Sequence, residues 1–365
     1  MFALFLKRLV KRPAALISAV LLVVLYTTMI FAEFIAPYKA NTSFRGHNYH
    51  PPSLIWYSKT LGFRPQVQKR VLVDQITWKY ARIKGEYVPV KLFVKGEEYK
   101  LLNLIPMRRH LFGTDAPYAI GNEVIGADQH YPVFLFGADH MGRDLFSRIL
   151  YGSRISLTVG FIGVFISLTL AIIFGGLAGY YGGAVDWIIM RFAEFFILVP
   201  GLYMILFLRS VLSSNLNSGQ SFILITVILS FVGWPGSARM LRGMIHSIKR
   251  EDFIIAAQLQ GIPGLVIIFR HIIPQISSII IINIALSIPG FILGETVLSY
   301  LGLGIVDPAV SWGSLLNKEI STLNNLRAFP WFLIPGLYLL VTTLSFNFLG
   351  DLLRDFFDPY FREKR

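Results

Sequence analysis

The chain has 365 residues, 54% of them hydrophobic and 15% charged, with a net charge of +13 and no cysteine. That composition excludes an ordinary soluble domain, disulfide bonding and cysteine-based metal sites. The basic excess does not indicate nucleic-acid binding, because the apolar residues fall in long uncharged runs and the bases flank them, as anionic headgroups favour.

Lys7, Arg8, Lys11 and Arg12 precede an uncharged run from Pro13 to Ala32. A run of about 20 residues spans a bilayer core, whereas a cleaved signal carries an apolar stretch of only about 7–15. It predicts a retained helix with its basic end inside. Further spans follow at Ile155–Ala178, Ile188–Leu212, Ser221–Gly236, Ile276–Leu298 and Pro330–Gly350, the first being Pro13–Phe34. Pro235 is expected to end the short fourth span, and Pro200 and Pro289 to kink theirs. Gly175, Gly176 and Gly179 suit close helix packing. The expected fold class is an all-α polytopic membrane protein of about six transmembrane helices with a small extracytoplasmic β-containing insert.

Short loops set the orientation. Arg239, Arg242, Lys249, Arg250 and Arg270 follow span four, and Arg354, Arg362, Lys364 and Arg365 follow span six. Both segments are therefore expected inside with both termini, in a multi-pass protein of the inner or plasma membrane. Residues 38–154 carry 17 Lys and Arg against 9 Asp and Glu, yet long loops cross largely regardless of charge. Within them Val71–Ile83, Tyr87–Val94 and Tyr99–Leu104 read as a three-stranded meander, with turns at Lys84-Gly85-Glu86 and Lys95-Gly96-Glu97. The divisions expected are 1–37, an insert 38–135, a membrane core 136–350 containing an inner segment 237–275, and a tail 351–365.

Catalytic motifs are missing from the sequence. It holds no Gly-x4-Gly-Lys-Ser/Thr phosphate loop, no His-Glu-x-x-His metal site and no recognisable nucleophile–base set. His47 and His50 read as a surface-loop pair. The inner segment is more informative. Glu251 and Asp252 open a short helix, where the helix dipole favours acids. Ala256 and Ala257 offer a small surface, Gly261 turns the chain sharply, and Pro263 and Gly264 lead into a second short helix, Leu265–His271. Two short helices joined by a tight turn make a knob that can pass a push into the spans; an ordinary basic loop is the plainer reading. Arg143, Asp144, Arg148 and Arg154 lie before span two, and Asp144 and Arg148 can pair on one helical face. Their expected role is to hold an interfacial helix, with substrate contact as the alternative. Asp351, Arg354, Asp355 and Asp358 have the spacing of a pair network. Glu194 is a candidate for the translocation path, with pairing to Arg191 three residues away as the plainer reading. Glu295 is either a group on the translocation path or a structural hydrogen-bonding group.

Ala256-Ala257, Gly261 and Ile272-Ile273-Pro274 resemble the cytoplasmic signature of ABC importer permeases, with Ile255 where a glutamate is usual. Three more stretches resemble the second permease of the dipeptide, oligopeptide and nickel importers. One is Gly137-Ala-Asp139-His-Met-Gly142-Arg143-Asp144-Leu-Phe-Ser147-Arg148, continuing through Gly152 to Arg154-Ile-Ser156. The others are Leu301-Gly-Leu-Gly304 with Ser311-Trp-Gly313, and Gly350-Asp351-Leu-Leu-Arg354-Asp355-Phe-Phe-Asp358. The resemblance implies a non-enzymatic permease subunit that binds no cofactor. A second permease, two ATPase subunits or domains carrying ATP and magnesium, an extracytoplasmic binding protein and membrane lipid are the implied partners, without nucleic acid. Ala256–Gly264 is then the coupling site. Peptides are the expected cargo, nickel or another small solute the alternative, and an ion-coupled secondary transporter the rival of another class.

Overall fold

The computed structural model describes residues 2–102, 104–120, 123–124, 130–212, 216–319 and 323–357. Among the described residues, five helices are long and apolar enough to cross a membrane, or six if one bent pair counts as a single span. An amphipathic helix α1 (Phe2–Lys11) leads into the apolar α2 (Pro13–Ile30), whose Pro13 occupies a first-turn position that needs no N–H donor. A short α3 (Ala32–Ile35) follows.

The insert is β-structured, but not in the expected register. A three-stranded antiparallel sheet joins β1 (Leu54–Ser58), β2 (Gly62–Asp74) and β3 (Lys79–Pro89). A separate hairpin joins β4 (Lys91–Leu101) and β5 (Ile105–Gly113). Neither Lys-Gly-Glu signal is a turn. Gln68 pairs with Tyr87 and Arg70 with Arg82, so Ile83 to Glu86 bulge out against Lys69 alone. Likewise Lys95 pairs with Arg109 and Tyr99 with Met107, so Gly96 to Glu98 bulge against Arg108. Each bulge turns its glutamate onto the opposing base: Glu86 on Lys69 at 3.0 Å, and Glu98 on Arg108. A glycine between polar residues signals local backbone freedom, which a bulge uses as well as a turn does. The β2–β3 reversal instead falls at residues 75–78, tied by the Asp74 carboxylate to the Ile76 N–H.

Helix α4 (Leu145–Tyr181) has 37 residues. At 1.5 Å per residue it is about 55 Å long, well beyond a ~30 Å hydrocarbon core. The interfacial helix and second span expected from sequence are thus one element. The third span is broken. Helices α5 (Gly183–Leu198) and α6 (Gly201–Leu212) meet at 94°. Val199 is extended, as a residue before proline must be, and Gly201 leaves room for the bend. Pro235, in contrast, does not end its helix: α7 runs from Ser218 to Ile248. Trp234 before it and Ala238, Leu241 and Ile245 after it are buried, and that packing outweighs a lost hydrogen bond. Helices α8 (Asp252–Leu259), α9 (Gly264–Gln275), α10 (Ser277–Tyr300, continuous through Pro289), α11 (Trp312–Glu319), α12 (Leu323–Ala328) and α13 (Ile334–Phe357) complete the chain.

By packing, the chain forms two compact units: residues 1–22, 157–298 and 340–365, and residues 23–156 with 299–339. In the first, Gly175 and Gly179 of α4 lie against the α7 backbone. A Cβ on either would stand 2.6 Å from the Ala238 carbonyl or 2.7 Å from that of Arg242, which bears out the close packing read from these glycines. In the second, Phe44, Val67, Val88, Tyr118, Tyr131 and Phe134 build a core under the three-stranded sheet. His47 and His50 belong to that core rather than to a surface loop: they are 6% and 1% exposed, with ring centroids 5.1 Å apart.

That burial has a measurable consequence. Desolvation lowers the pKa of His47 to about 4 and that of His50 well below its ordinary value, with His47 and Arg70 adding repulsion. Below pH 6.5 the unfolded chain takes up protons that the folded chain refuses, so stability is full above pH 6.5 and drains toward pH 4. For His47 the loss reaches about 3 kcal/mol. Burial raises the Asp144 carboxyl to about 7, which acts in the opposite direction. The expected result is therefore read as a difference: on going from pH 7.5 to pH 4.5, the thermal midpoint of wild type falls more than that of His47→Phe. Equal falls would refute it.

Candidate functional site

The knob anticipated between spans four and five is present. Glu251 occupies the N-cap position of α8, without a side-chain capping bond, and Asp252 opens the first turn. Both are exposed. Gly261 turns the chain with φ +74°, a region that costs other residues about 1–2 kcal/mol. Pro263 caps the start of α9. Gly264 is held close, since a Cβ there would stand 2.6 Å from the Tyr180 ring. Residues Ile267–Ile272 of α9 form a π-helical turn ahead of Pro274.

The two alanines divide. Ala256 is exposed, whereas Ala257 is buried with Ile254 against Ile267, Ile268 and Ile272. Sequence spacing did not separate them, because the partner that buries Ala257 is α9, which folds back only through Gly261. The outward side instead offers Phe253, Ile255, Ala256 and Leu259, the last 84% exposed. Ile255, which stands where a glutamate is usual, adds to this apolar face.

At the start of α4 the signature residues gather into a buried ionic cluster. Asp139 is fully buried; it accepts Arg143 Nε at 2.7 Å and Arg148 Nη1 at 2.6 Å, and the Met141 and Arg143 backbone N–H groups at 2.8 and 2.9 Å. Asp307 adds contacts at 3.5 Å to Arg143 and 3.3 Å to Arg148. Arg148 therefore reaches back to Asp139 rather than pairing with Asp144. Asp144 caps α4, its Oδ2 accepting the Ser147 N–H at 2.8 Å and Oγ at 2.6 Å. Gly142 has φ +74°, and a Cβ would run into the Phe44 carbonyl. Gly152 lets residues 310–311 approach to 3.4 Å of where its Cβ would be. Arg154 forks onto Glu33 at 2.6 and 2.5 Å and also donates to the Met29 and Ile30 carbonyls at 3.1 Å, closing the end of α2. Asp307 and Glu33 carry no signal in sequence, because their partners lie more than a hundred residues away.

The remaining candidates are dispersed. Glu194 binds Arg191 at 2.7 Å, as its spacing suggested, and Arg239 of α7 lies 3.7 Å away. Glu295 is fully buried in α10. Gly350 is covered by Leu286. Asp355 pairs with Arg12, and its carbonyl accepts Arg8 Nη1 at 3.1 Å, so this member of the expected network is engaged from near the N-terminus. Asp351 and Arg354 are exposed, and Asp358 lies outside the described residues.

The helices are those of a polytopic membrane protein, and the knob between two of them carries an exposed apolar face. The chain belongs to the family described as the binding-protein-dependent transport system inner membrane component, which it matches over residues 171–363. Residues 1–52 match the N-terminal TM domain of oligopeptide transport permease C. It is 40% identical to the oligopeptide transport system permease protein OppC of Haemophilus influenzae over 225 residues, covering 61% of this chain and 70% of that one. It is 37% identical to the dipeptide transport system permease protein DppC of Bacillus subtilis over 228 residues, 62% and 69% of the two chains. The Escherichia coli OppC protein is 37% identical over 258 residues, 70% and 81%. Among solved structures, an inward-facing MetNI methionine ABC transporter chain aligns with 57% of this chain and 94% of its own, at a TM-score of 0.42 and 16% identity. The chain is a multi-pass inner-membrane permease subunit of an ABC importer.

Proposed function

We propose that this chain forms one half of a peptide translocation path, pairs with a second and different permease, and is driven by two ATPase subunits that hold ATP and magnesium. Both termini and the α8–α9 knob face the cytoplasm, and a binding protein delivers peptide to the opposite side. The supporting observation is the knob itself: α7 runs unbroken into it, and its exposed apolar residues suit a protein partner. Peptide cargo is supported by relatives whose names specify oligopeptides and dipeptides. Alternating access follows if ATP-driven closure of the ATPases displaces the knob and, through α7, the spans. Glu194, engaged by two arginines, is poorly placed as a proton relay. The chain itself then hydrolyses nothing.

The test is uptake into proteoliposomes holding this chain, its partner permease and ATPases, with the binding protein added outside. Labelled tripeptide should accumulate only with ATP inside and should be indifferent to an ionophore. Accumulation that survives ATP removal but collapses with the ionophore would establish the secondary-transport rival. ATP-driven accumulation of nickel in place of peptide would move the cargo and keep the mechanism.

A further inference from the structure

The β3 bulge makes more than a kink. Between the bulge, β2 and the core lies a cleft of about 480 Å³. Successive side chains of a regular strand point to opposite faces, so Lys69 and Arg70 would ordinarily be separated. Beside the bulge both nonetheless line the same cleft, together with Arg45 and with Ile83 and Glu86 from the bulge itself. Bulges of this kind re-aim side chains at functional sites.

Charge in the cleft is unbalanced. Glu86 is taken by Lys69 at 3.0 Å, and Lys69 Nζ also lies 5.8 Å from the centre of the Tyr131 ring. Among the described residues, no carboxylate lies within salt-bridge distance of Arg45, Arg70 or Arg82. Arg70 stands directly across the ladder from Arg82, a like-charge pairing that weakens a sheet unless something neutralises it. One Arg70 nitrogen donates to the Pro52 carbonyl at 3.1 Å, while its Nε is buried without a hydrogen-bond partner. His47, nine-tenths buried in the cleft wall, likewise leaves Nδ1 without a partner. Burial and the Arg82 charge push the Arg70 guanidinium downward, as expected for a cation held without its anion. Around these groups the walls are apolar and aromatic: Tyr118, Tyr131, Val71, Leu72 and Pro117.

We infer that this cleft binds a carboxylate carried on an apolar or aromatic body, the anion seated between Arg70 and Arg45 and the body against Tyr118 and Tyr131. A lone inorganic anion would use the arginines but leave the apolar walls uncovered. Where the chain handles peptides, the C-terminal carboxylate of a peptide ending in a hydrophobic residue has this chemistry. Only that assignment of source rests on the peptide reading; the site does not.

The test uses the full chain purified in detergent and labelled N-acetyl-L-phenylalanine in equilibrium dialysis, with the C-terminal amide and inorganic phosphate as competitors. Saturable binding is expected, with neither competitor displacing it at equal concentration. Losing a charged hydrogen bond in Arg70→Gln should weaken binding by about tenfold or more. Glu86→Gln, which removes the only carboxylate that the described residues place in the cleft wall, should tighten it, and so keeps a test available if Arg70→Gln does not fold. No saturable binding by wild type, equal displacement by the amide, equal displacement by phosphate, or no change in both variants overturns the site. None of these results bears on ATP-driven peptide uptake, which the proteoliposome assay reads separately.

Discussion

Ala256→Asp and Leu259→Asp should each abolish ATP-driven uptake while leaving the chain folded. Both positions are exposed, so a carboxylate there stays hydrated in the free subunit and costs the fold little. Docking of an ATPase over the apolar face would strip that hydration with no cation supplied. A desolvated, unpaired charge costs several kcal/mol, and about 3 kcal/mol already lowers occupancy roughly a hundredfold. Ala257→Asp acts differently. Ala257 is buried with Ile254 under Ile267, Ile268 and Ile272, so the charge would break the knob from within and lower the thermal midpoint. Co-purification of the ATPase, uptake and melting temperature separate the two effects. Normal docking and uptake by both surface variants would reduce the knob to a connecting loop and reopen the energy source.

The second large effect is expected at Asp139. Asp139→Ala leaves Arg143 and Arg148, 5% and 2% exposed, without the carboxylate they share. Asp307 stands at 3.5 and 3.3 Å and cannot close to both at hydrogen-bond length without moving its loop. Arg143 already has a buried Nη2 without a hydrogen-bond partner, so the cluster holds little slack. Breaking a buried pair from one side costs about 3–5 kcal/mol, and here two cations are stranded. The detergent-solubilised chain should melt markedly lower, with Asp307→Ala, a half-exposed partner, falling less. An unchanged midpoint in Asp139→Ala would mean that the cluster is not what holds this loop.

What was legible in the sequence follows from the range of each interaction. Long apolar runs are local, so the spans and the knob could be read directly, and Glu194 with Arg191 sits three residues apart. The proline expectations went both ways for one reason. Pro200 breaks its span where Gly201 can swing, and Pro235 does not where Trp234, Ala238 and Leu241 are clamped by neighbours that the sequence does not reveal. The ionic cluster was visible as a signature but not as geometry: Arg148 reaches nine residues back to Asp139, and Asp307 joins from more than 150 residues ahead. The insert misled most in detail. Lys-Gly-Glu is an honest sign of an irregular backbone, and only the partner strand decides whether the irregularity reverses the chain or bulges it.

The uninterrupted course of α7 through Pro235 has a mechanical consequence. Proline lacks the N–H that would meet the Phe231 carbonyl, so a rod of 31 residues contains one missing rung. Such a rod stays stiff along its axis, because every other rung carries the load, yet it is compliant in bending at that one level. Were the knob pushed as proposed, Pro235 would be the level at which α7 resists bending least, with the packing of Trp234 and Ala238 holding it straight.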